Sequence, residues 1–145
     1  MPKLQREWEL ADRLHSAAIH VLRRLRIQDL TSGVGPAKLS ALSVLVFAGR
    51  PLSLAELAAA EQVKNPTMSR LVTAMERDGL VCTAADKEDA RSIQIIPTLR
   101  GKELLLAGKK RRVDSLASAL SSLNKNQVAD MEKAIALLRD VIRKL

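Results

Sequence analysis

Apolar residues recur at spacings of three and four from residue 3 to residue 29, through Leu4, Trp8, Ala11, Leu14, Ala18, Val21, Leu22 and Leu25, with no Gly or Pro inside the run. That periodicity predicts one long helix with an apolar stripe. Thr31-Ser32-Gly33-Val34-Gly35-Pro36 breaks it. Pro36 suits the first turn of a second helix, where its missing N–H is no loss. Leu39, Leu42, Leu45 and Val46 give the second helix a buried stripe, Phe47 is assigned to the core, and Gly49-Arg50-Pro51 closes the segment. Ser53-Leu54-Ala55-Glu56 has the spacing of a capping box, in which hydroxyl and carboxylate satisfy orphan N–H groups at a helix start. A third, short helix therefore runs from Ser53 to about Ala60. Glu61-Gln62-Val63-Lys64 makes a tight connection to Asn65-Pro66, read as an N-cap followed by the first helical residue. Helix four continues to about Asp78 on a stripe of Met68, Leu71, Val72 and Met75, with Gly79 placed to end it in a left-handed conformation.

After Gly79 the period changes. Leu80-Val81-Cys82-Thr83 and Ser92-Ile93-Gln94-Ile95-Ile96 are short β-prone runs on either side of a charged loop, Ala84 to Arg91, and predict a two-stranded hairpin. Thr98 is placed to cap a helix from Leu99 to about Leu123. Asn124-Lys125-Asn126-Gln127 offers a second cap before Val128, Met131, Ile135, Leu138 and Ile142. The fold class is mainly α with a small β-hairpin. No internal repeat or low-complexity tract interrupts it, and 145 residues suit a single domain.

Composition narrows the function. Aromatics are 1% of the chain against 47% apolar residues in all, which favours helices over a β-sandwich. A net charge of +8 and a pI near 10.2 make a polyanion the first partner to test. The single cysteine, Cys82, supports neither a disulfide framework nor a zinc site, and is read as a packed thiol rather than a redox sensor. The charged first nine residues lack a signal-peptide apolar run. The longest apolar stretch, residues 41–49, is too short to span a bilayer, so the expectation is a cytoplasmic protein with no membrane partner.

Helix, four-residue turn, helix and charged hairpin form the layout of a winged helix-turn-helix. An exposed second helix can enter a major groove, while a hairpin tip reaches the adjacent minor groove. Opposite its apolar stripe, helix four carries Thr67, Ser69, Arg70, Thr73 and Arg77, with Lys64 and Asn65 just before. Short hydrogen-bonding groups and cations are the types that meet bases and phosphates. Three motifs then bring a family into view: Leu54-Ala55-Glu56-Leu57-Ala58; Thr67-Met68-Ser69-Arg70-Leu71-Val72 through Met75-Glu76-Arg77-Asp78-Gly79-Leu80-Val81; and Asp86-x-x-Asp89-x-Arg91 followed by Thr98-x-x-Gly101. Over nearly its whole length the chain resembles the MarR (multiple antibiotic resistance regulator) transcription factors.

The resemblance implies a homodimer built from residues 3–30 and 99–145, with Leu4, Trp8, Val128, Met131, Ile135, Leu138 and Ile142 at its interface. Residues 36–97 would form the DNA-binding part. Arg91 would reach the minor groove, and Asp86 and Asp89 would hold the wing; Lys87, which departs from the family pattern, is a candidate substitute for a usual phosphate contact. It also implies a repressor or activator whose hold on duplex DNA responds to a small phenolic or anionic effector. Three positions depart from the family pattern: Gln62 stands where a turn glycine is common, Thr83 where a basic residue often follows the first wing strand, and Lys87 where proline is frequent.

Charge does not locate the site, because residues 61–100 are neutral overall while 101–145 carry +5. The run Lys109-Lys110-Arg111-Arg112 fits either a solvated helix face or an auxiliary phosphate contact. For Arg70 the competing role is an ion pair with Glu61 or Glu76; for Arg77, a favourable placement at a helix C-terminus; for Arg91, a pair with Asp86 or Asp89. His15 and His20, five apart on a helix, cannot chelate one metal from one face, and Gly33-x-Gly35 lacks the strand and third glycine of a dinucleotide loop. No metal, cofactor or catalytic constellation is expected. The second reading is a protein-interaction module on a winged-helix scaffold.

Overall fold

The computed structural model describes residues 3–145; the first two residues of the charged N-terminal segment lie outside the described residues. In order, the chain forms α1 (Lys3–Arg26), a 3-10 segment (Ile27–Ser32), α2 (Pro36–Ala48), β1 (Leu52–Ser53), α3 (Leu54–Ala60) and α4 (Asn65–Arg77). After these come β2 (Val81–Ala85), β3 (Ile93–Pro97), α5 (Leu99–Leu120) and α6 (Lys125–Ile142). The protein is mainly helical with a small antiparallel sheet, and its contacts divide into two compact units, Met1–Lys110 and Arg111–Leu145.

In the first unit, twelve buried apolar residues from α2, α3, α4 and the sheet make one core. Ala41, Leu42 and Leu45 come from α2; Leu57 and Ala58 from α3; Met68, Val72 and Met75 from α4. Leu52, Leu80, Val81 and Ile95 close it from the sheet side, with Leu39, Val46 and Leu71 only half-buried. Phe47 is not part of this core: it is 81% exposed. Two residues beyond Leu45 on a helix is a rotation of about 200°, which turns the ring away from the stripe. The long first helix ends at Arg26 rather than near residue 29. Thr31 and Ser32 hydroxyls donate to the carbonyls of Gln28 and Asp29, tightening the last turns into a 3-10 segment that stops at Gly33, φ 70°.

The sheet has three strands, in the order β1-β3-β2. The expected hairpin is present, with Val81 opposite Pro97 and Ala85 opposite Ile93. Its additional strand is the two-residue β1, where Leu52 pairs with Ile95 and Ser53 with Gln94. Two residues are too few for any periodicity, and Ser53 also serves as the N-cap of α3, accepting from the Glu56 N–H at 3.1 Å. Only that half of the expected capping box forms, because the Glu56 carboxylate turns instead to Arg50 at 2.9 Å.

Both turns around α4 use a residue in the left-handed region. Gln62 has φ 56°, and the flanking N–H groups close back on α3, Gln62 to the Ala59 carbonyl and Val63 to that of Ala58. This is a Schellman ending made with glutamine in place of glycine, at a strain on the order of 1 kcal/mol. Gly79 ends α4 in the same way without strain, its own N–H reaching Glu76 and that of Leu80 reaching Met75.

Immediately beyond, α5 is fastened to that ending. Thr98 donates its N–H to the Leu80 carbonyl and its hydroxyl to the Gly79 carbonyl, and its Oγ1 accepts from Gly101 N. Gly101 is buried against the same strand of backbone; a Cβ there would overlap the Leu80 carbonyl oxygen and stand 3.1 Å from Leu42 Cδ1.

In the second unit α5 ends at Leu120, three residues short of the expected stop. Ser121 and Ser122 bond their hydroxyls to the carbonyls of Ser118 and Ala119 and divert the backbone. The Asn124–Gln127 capping box is complete, each side chain accepting from the other residue's N–H at 2.9 and 3.0 Å. None of the residues of α6 is buried: Val128, Met131, Ile135 and Ile142 are exposed and Leu138 half-buried.

Gly101→Ala is expected to destabilise the fold by about 1–3 kcal/mol in urea denaturation, overlap outweighing the better helix propensity of alanine. An unchanged or raised midpoint would show that α5 does not need this close approach.

Candidate nucleic-acid interface

Helix α4 is amphipathic in the sense its sequence predicts. Met68, Val72 and Met75 are buried, while Lys64, Asn65, Thr67, Ser69, Arg70, Thr73 and Arg77 are all exposed. Arg70, Thr73 and Arg77 follow one another at intervals of three and four and form a single outward stripe. The Thr73 hydroxyl donates to the Ser69 carbonyl at 2.9 Å, so its proton is engaged and its oxygen keeps acceptor capacity. One detail differs from expectation. The cap of α4 is Lys64, extended at φ −77° and ψ 153°, and Asn65 is the first helical residue. The Met68 N–H already reaches the Lys64 carbonyl at 3.1 Å, so the helix begins one residue early and no side chain caps it.

The acids around α4 are turned to structural partners. Glu61 accepts from Ser40 at 2.9 Å, Glu76 from Thr83 at 3.2 Å, and Asp78 from Lys38 Nζ at 2.7 Å. Neither Glu61 nor Glu76 pairs with Arg70. Among the described residues Lys64, Arg70, Lys87 and Arg91 make no side-chain hydrogen bond or ion pair. A segment of zero net charge thus presents cations outward, because most of its carboxylates are engaged by its own scaffold; Glu88, exposed at the hairpin tip, is the exception.

The hairpin tip is braced by the two aspartates singled out from the sequence. Asp86 accepts from the Glu88 N–H through one carboxylate oxygen and from Gln94 Nε2 through the other. Asp89 accepts from the Arg91 N–H at 3.0 Å, and the Asp89 carbonyl accepts from Ser92 N–H. The Arg91 guanidinium is left exposed; its bond to Asp89 is through backbone, not side chain. Thr83, where a cation would be more usual, is engaged with Glu76 and ties β2 to α4. Cys82 is exposed rather than packed, since Val81 and Thr83 take the inward positions of the strand.

Sequence reasoning did not identify Lys38 and Ser40. Both lie on α2, tens of residues from their partners, and neither carries a local motif. A cleft of about 370 Å³ beside the turn is lined by Ala37 of α2, by Glu61 and Val63 of the turn, and by Thr67, Met68, Arg70, Leu71 and Ala74 of α4. The Asp78 carboxyl is held below the usual carboxylate range, first by its hydrogen bond from Lys38, with partial desolvation opposing and the charges of Lys38, Arg77 and Arg100 adding. Among the described residues no three His, Cys, Asp or Glu side chains gather as a metal site, and no single helix is long and apolar enough to cross a membrane.

Residues 39–93 match the MarR family. An HTH-type transcriptional regulator of Mycobacterium bovis is 30% identical over 135 residues, 93% of this chain and 94% of its own. A MarR family protein from Bacillus stearothermophilus superposes with a TM-score of 0.80 at 23% identity, covering 99% of both chains. A MepR mutant from S. aureus, solved bound to an oligodeoxyribonucleotide, superposes at 0.72 with 18% identity, covering 92% of this chain and 97% of its own.

The lowered affinity of Asp78 for protons sets a pH dependence. The folded carboxyl gives up its proton more readily than an unfolded one, so its contribution to stability is complete above the ordinary carboxylate value of ~3.9 and is lost as pH falls through the lower folded value. Thermal midpoints of wild type and Asp78→Asn should differ at neutral pH and converge on acidification; a gap that persists to low pH would contradict the assignment.

Proposed function

The chain belongs to the MarR family, a family of winged-helix transcriptional regulators, and we infer that it binds duplex DNA sequence-specifically as a homodimer. The observation that carries this reading is the outward stripe of α4, where Arg70 stands without a partner beside a braced hairpin that presents Arg91. In this reading α4 enters the major groove. Arg70, Ser69 and Thr73 face base edges; Lys64, Asn65, Thr67 and Arg77 meet the flanking backbone. Arg91 enters the minor groove and Lys87 meets a phosphate, with Asp86 and Asp89 holding the wing in shape. Two copies would place their reading helices in successive major-groove faces about 34 Å apart.

Residues 36–97 act as the reading head and residues 3–30 and 99–145 as dimerisation helices of one functional domain. Support for the dimer comes from apolar side chains that nothing in the described chain covers: Leu4 and Trp8 on α1 are 80% and 69% exposed, and Val128, Met131, Ile135 and Ile142 of α6 are exposed too. Contiguous patches of this kind are ordinarily buried against a partner. A cytoplasmic location and control by a small anionic or phenolic effector complete the reading.

Fluorescence anisotropy with the DNA upstream of this gene, against a shuffled duplex and across a salt series, tests it. Preferential binding with log affinity falling linearly in log salt is expected. Arg70→Ala should lose about 1–3 kcal/mol of specific binding, whereas Lys87→Ala should weaken both duplexes alike and flatten the salt slope by about one. No binding at moderate salt would favour the protein-interaction module instead. Sedimentation at micromolar concentration should return a dimer; a monomer would sink the two-fold arrangement.

A further inference from the structure

The C-terminal end of α4 is where three helices meet through polar contacts. Asp78, its C-cap, receives Lys38 Nζ from α2 at 2.7 Å; the side chains retain 39% and 27% of their exposure, so the pair is half-buried. Arg77 on the same helix and Arg100 on α5 also bear on that carboxylate, and the Arg100 stem passes close to Gly79. Asp78 is therefore gripped from α2 on one side, while the adjoining Gly79 and Leu80 carbonyls are gripped on the other by Thr98, the residue just before α5.

A half-exposed ion pair of this type adds little to global stability. Its geometric effect is another matter. The core side of α4 is apolar and includes two flexible side chains, Met68 and Met75, so directional contacts at its margins add to what sets its rotation and tilt. A charge-assisted bond at one end, to a residue 40 positions away in sequence, is a directional constraint of this kind and the one that ties α4 to α2 at its C-terminus. We propose that Lys38 and Asp78 form a strut that sets the angle at which α4 presents its outward stripe, so that this pair controls sequence discrimination without touching DNA. Lys38 and Asp78 are positioning residues in this scheme, which rests on the DNA-binding reading above.

Electrostatics and positioning predict opposite signs for one substitution. Asp78→Asn removes a negative charge from a DNA-binding protein and, through charge alone, should tighten binding to every duplex. As a broken strut it should weaken binding to a preferred sequence. The probe is the duplex that the wild-type protein recovers from a random-sequence pool, compared with a scrambled duplex of the same composition. Asp78→Asn and Lys38→Met are each expected to lower the ratio of specific to scrambled affinity about 3- to 30-fold, with Lys38→Met leaving the salt slope of the wild type. The double variant should lose no more than either single one, and Lys38→Arg, which keeps the charge-assisted bond, should restore the ratio. Circular dichroism melts establish that each variant is folded.

An unchanged or raised ratio of specific to scrambled affinity for Asp78→Asn would overturn the strut, as would a fall of about one in the salt slope for Lys38→Met, which would make Lys38 a phosphate contact. Failure of the wild-type protein to recover any preferred sequence would instead bring down the DNA-binding reading, and the strut with it.

Discussion

Everything in the first unit hangs on the close approach of α5 to the backbone just after α4. Gly101 has no side chain, so the Leu80 carbonyl can lie against α5, and Thr98 can reach both the Gly79 and Leu80 carbonyls from the first turn. Those carbonyls would otherwise lie at a helix end, where unsatisfied acceptors accumulate. One glycine and one threonine thereby satisfy the end of α4, cap the start of α5 and keep the two helices in a fixed relation. Gly79 is the counterpart on the other strand of the junction, since only its left-handed φ of 73° brings the chain back towards the core at Leu80.

That junction explains why the segment around it is electrically neutral yet outwardly cationic. A short two-turn helix and a thirteen-residue helix bury only one stripe each, so their remaining orientation is settled by polar contacts at the margins. Carboxylates fill that role: Glu61 to α2, Glu76 to β2, Asp78 to α2 again. Each contact pulls an acid towards the scaffold. The cations left over have no partner of their own among the described residues, and a polyanion is the complementary surface. Net charge by segment conceals this division, because it counts inward and outward charges alike.

Much of the fold was legible because it rests on local periodicity and termini. The apolar stripes of α4 and the capping residues Ser53, Thr98 and Asn124 all act within a few residues of where they stand in sequence. What escaped depends on distance. Strand β1 exists only because β3, some forty residues later, offers Ile95 and Gln94 to pair with. Lys38 and Ser40 matter only through partners brought near by folding. Residue type alone places Phe47 and Cys82 in the interior, yet both face outward because the position on the helix or strand, not hydrophobicity, decides the direction of a side chain. The outward-facing residues of α4 and the wing could be named from sequence; which of their neighbours are already engaged could not.

The second unit poses a different physical problem. It consists of the end of α5 and the whole of α6, and α6 contributes no buried residue. Isolated helices of this length are marginal in water, since their stability in proteins comes chiefly from covering an apolar face. The capping box at Asn124 and Gln127 satisfies the N-terminus of α6 but adds only about 1 kcal/mol. Val128, Met131, Ile135 and Ile142 supply the face that would have to be covered. If a second copy covers it, folding of this unit and association become one equilibrium, and the stability of the protein rises with its concentration. Assembly would then be part of how the chain folds, and a regulator of this kind would lose its paired reading heads and its C-terminal structure together on dilution.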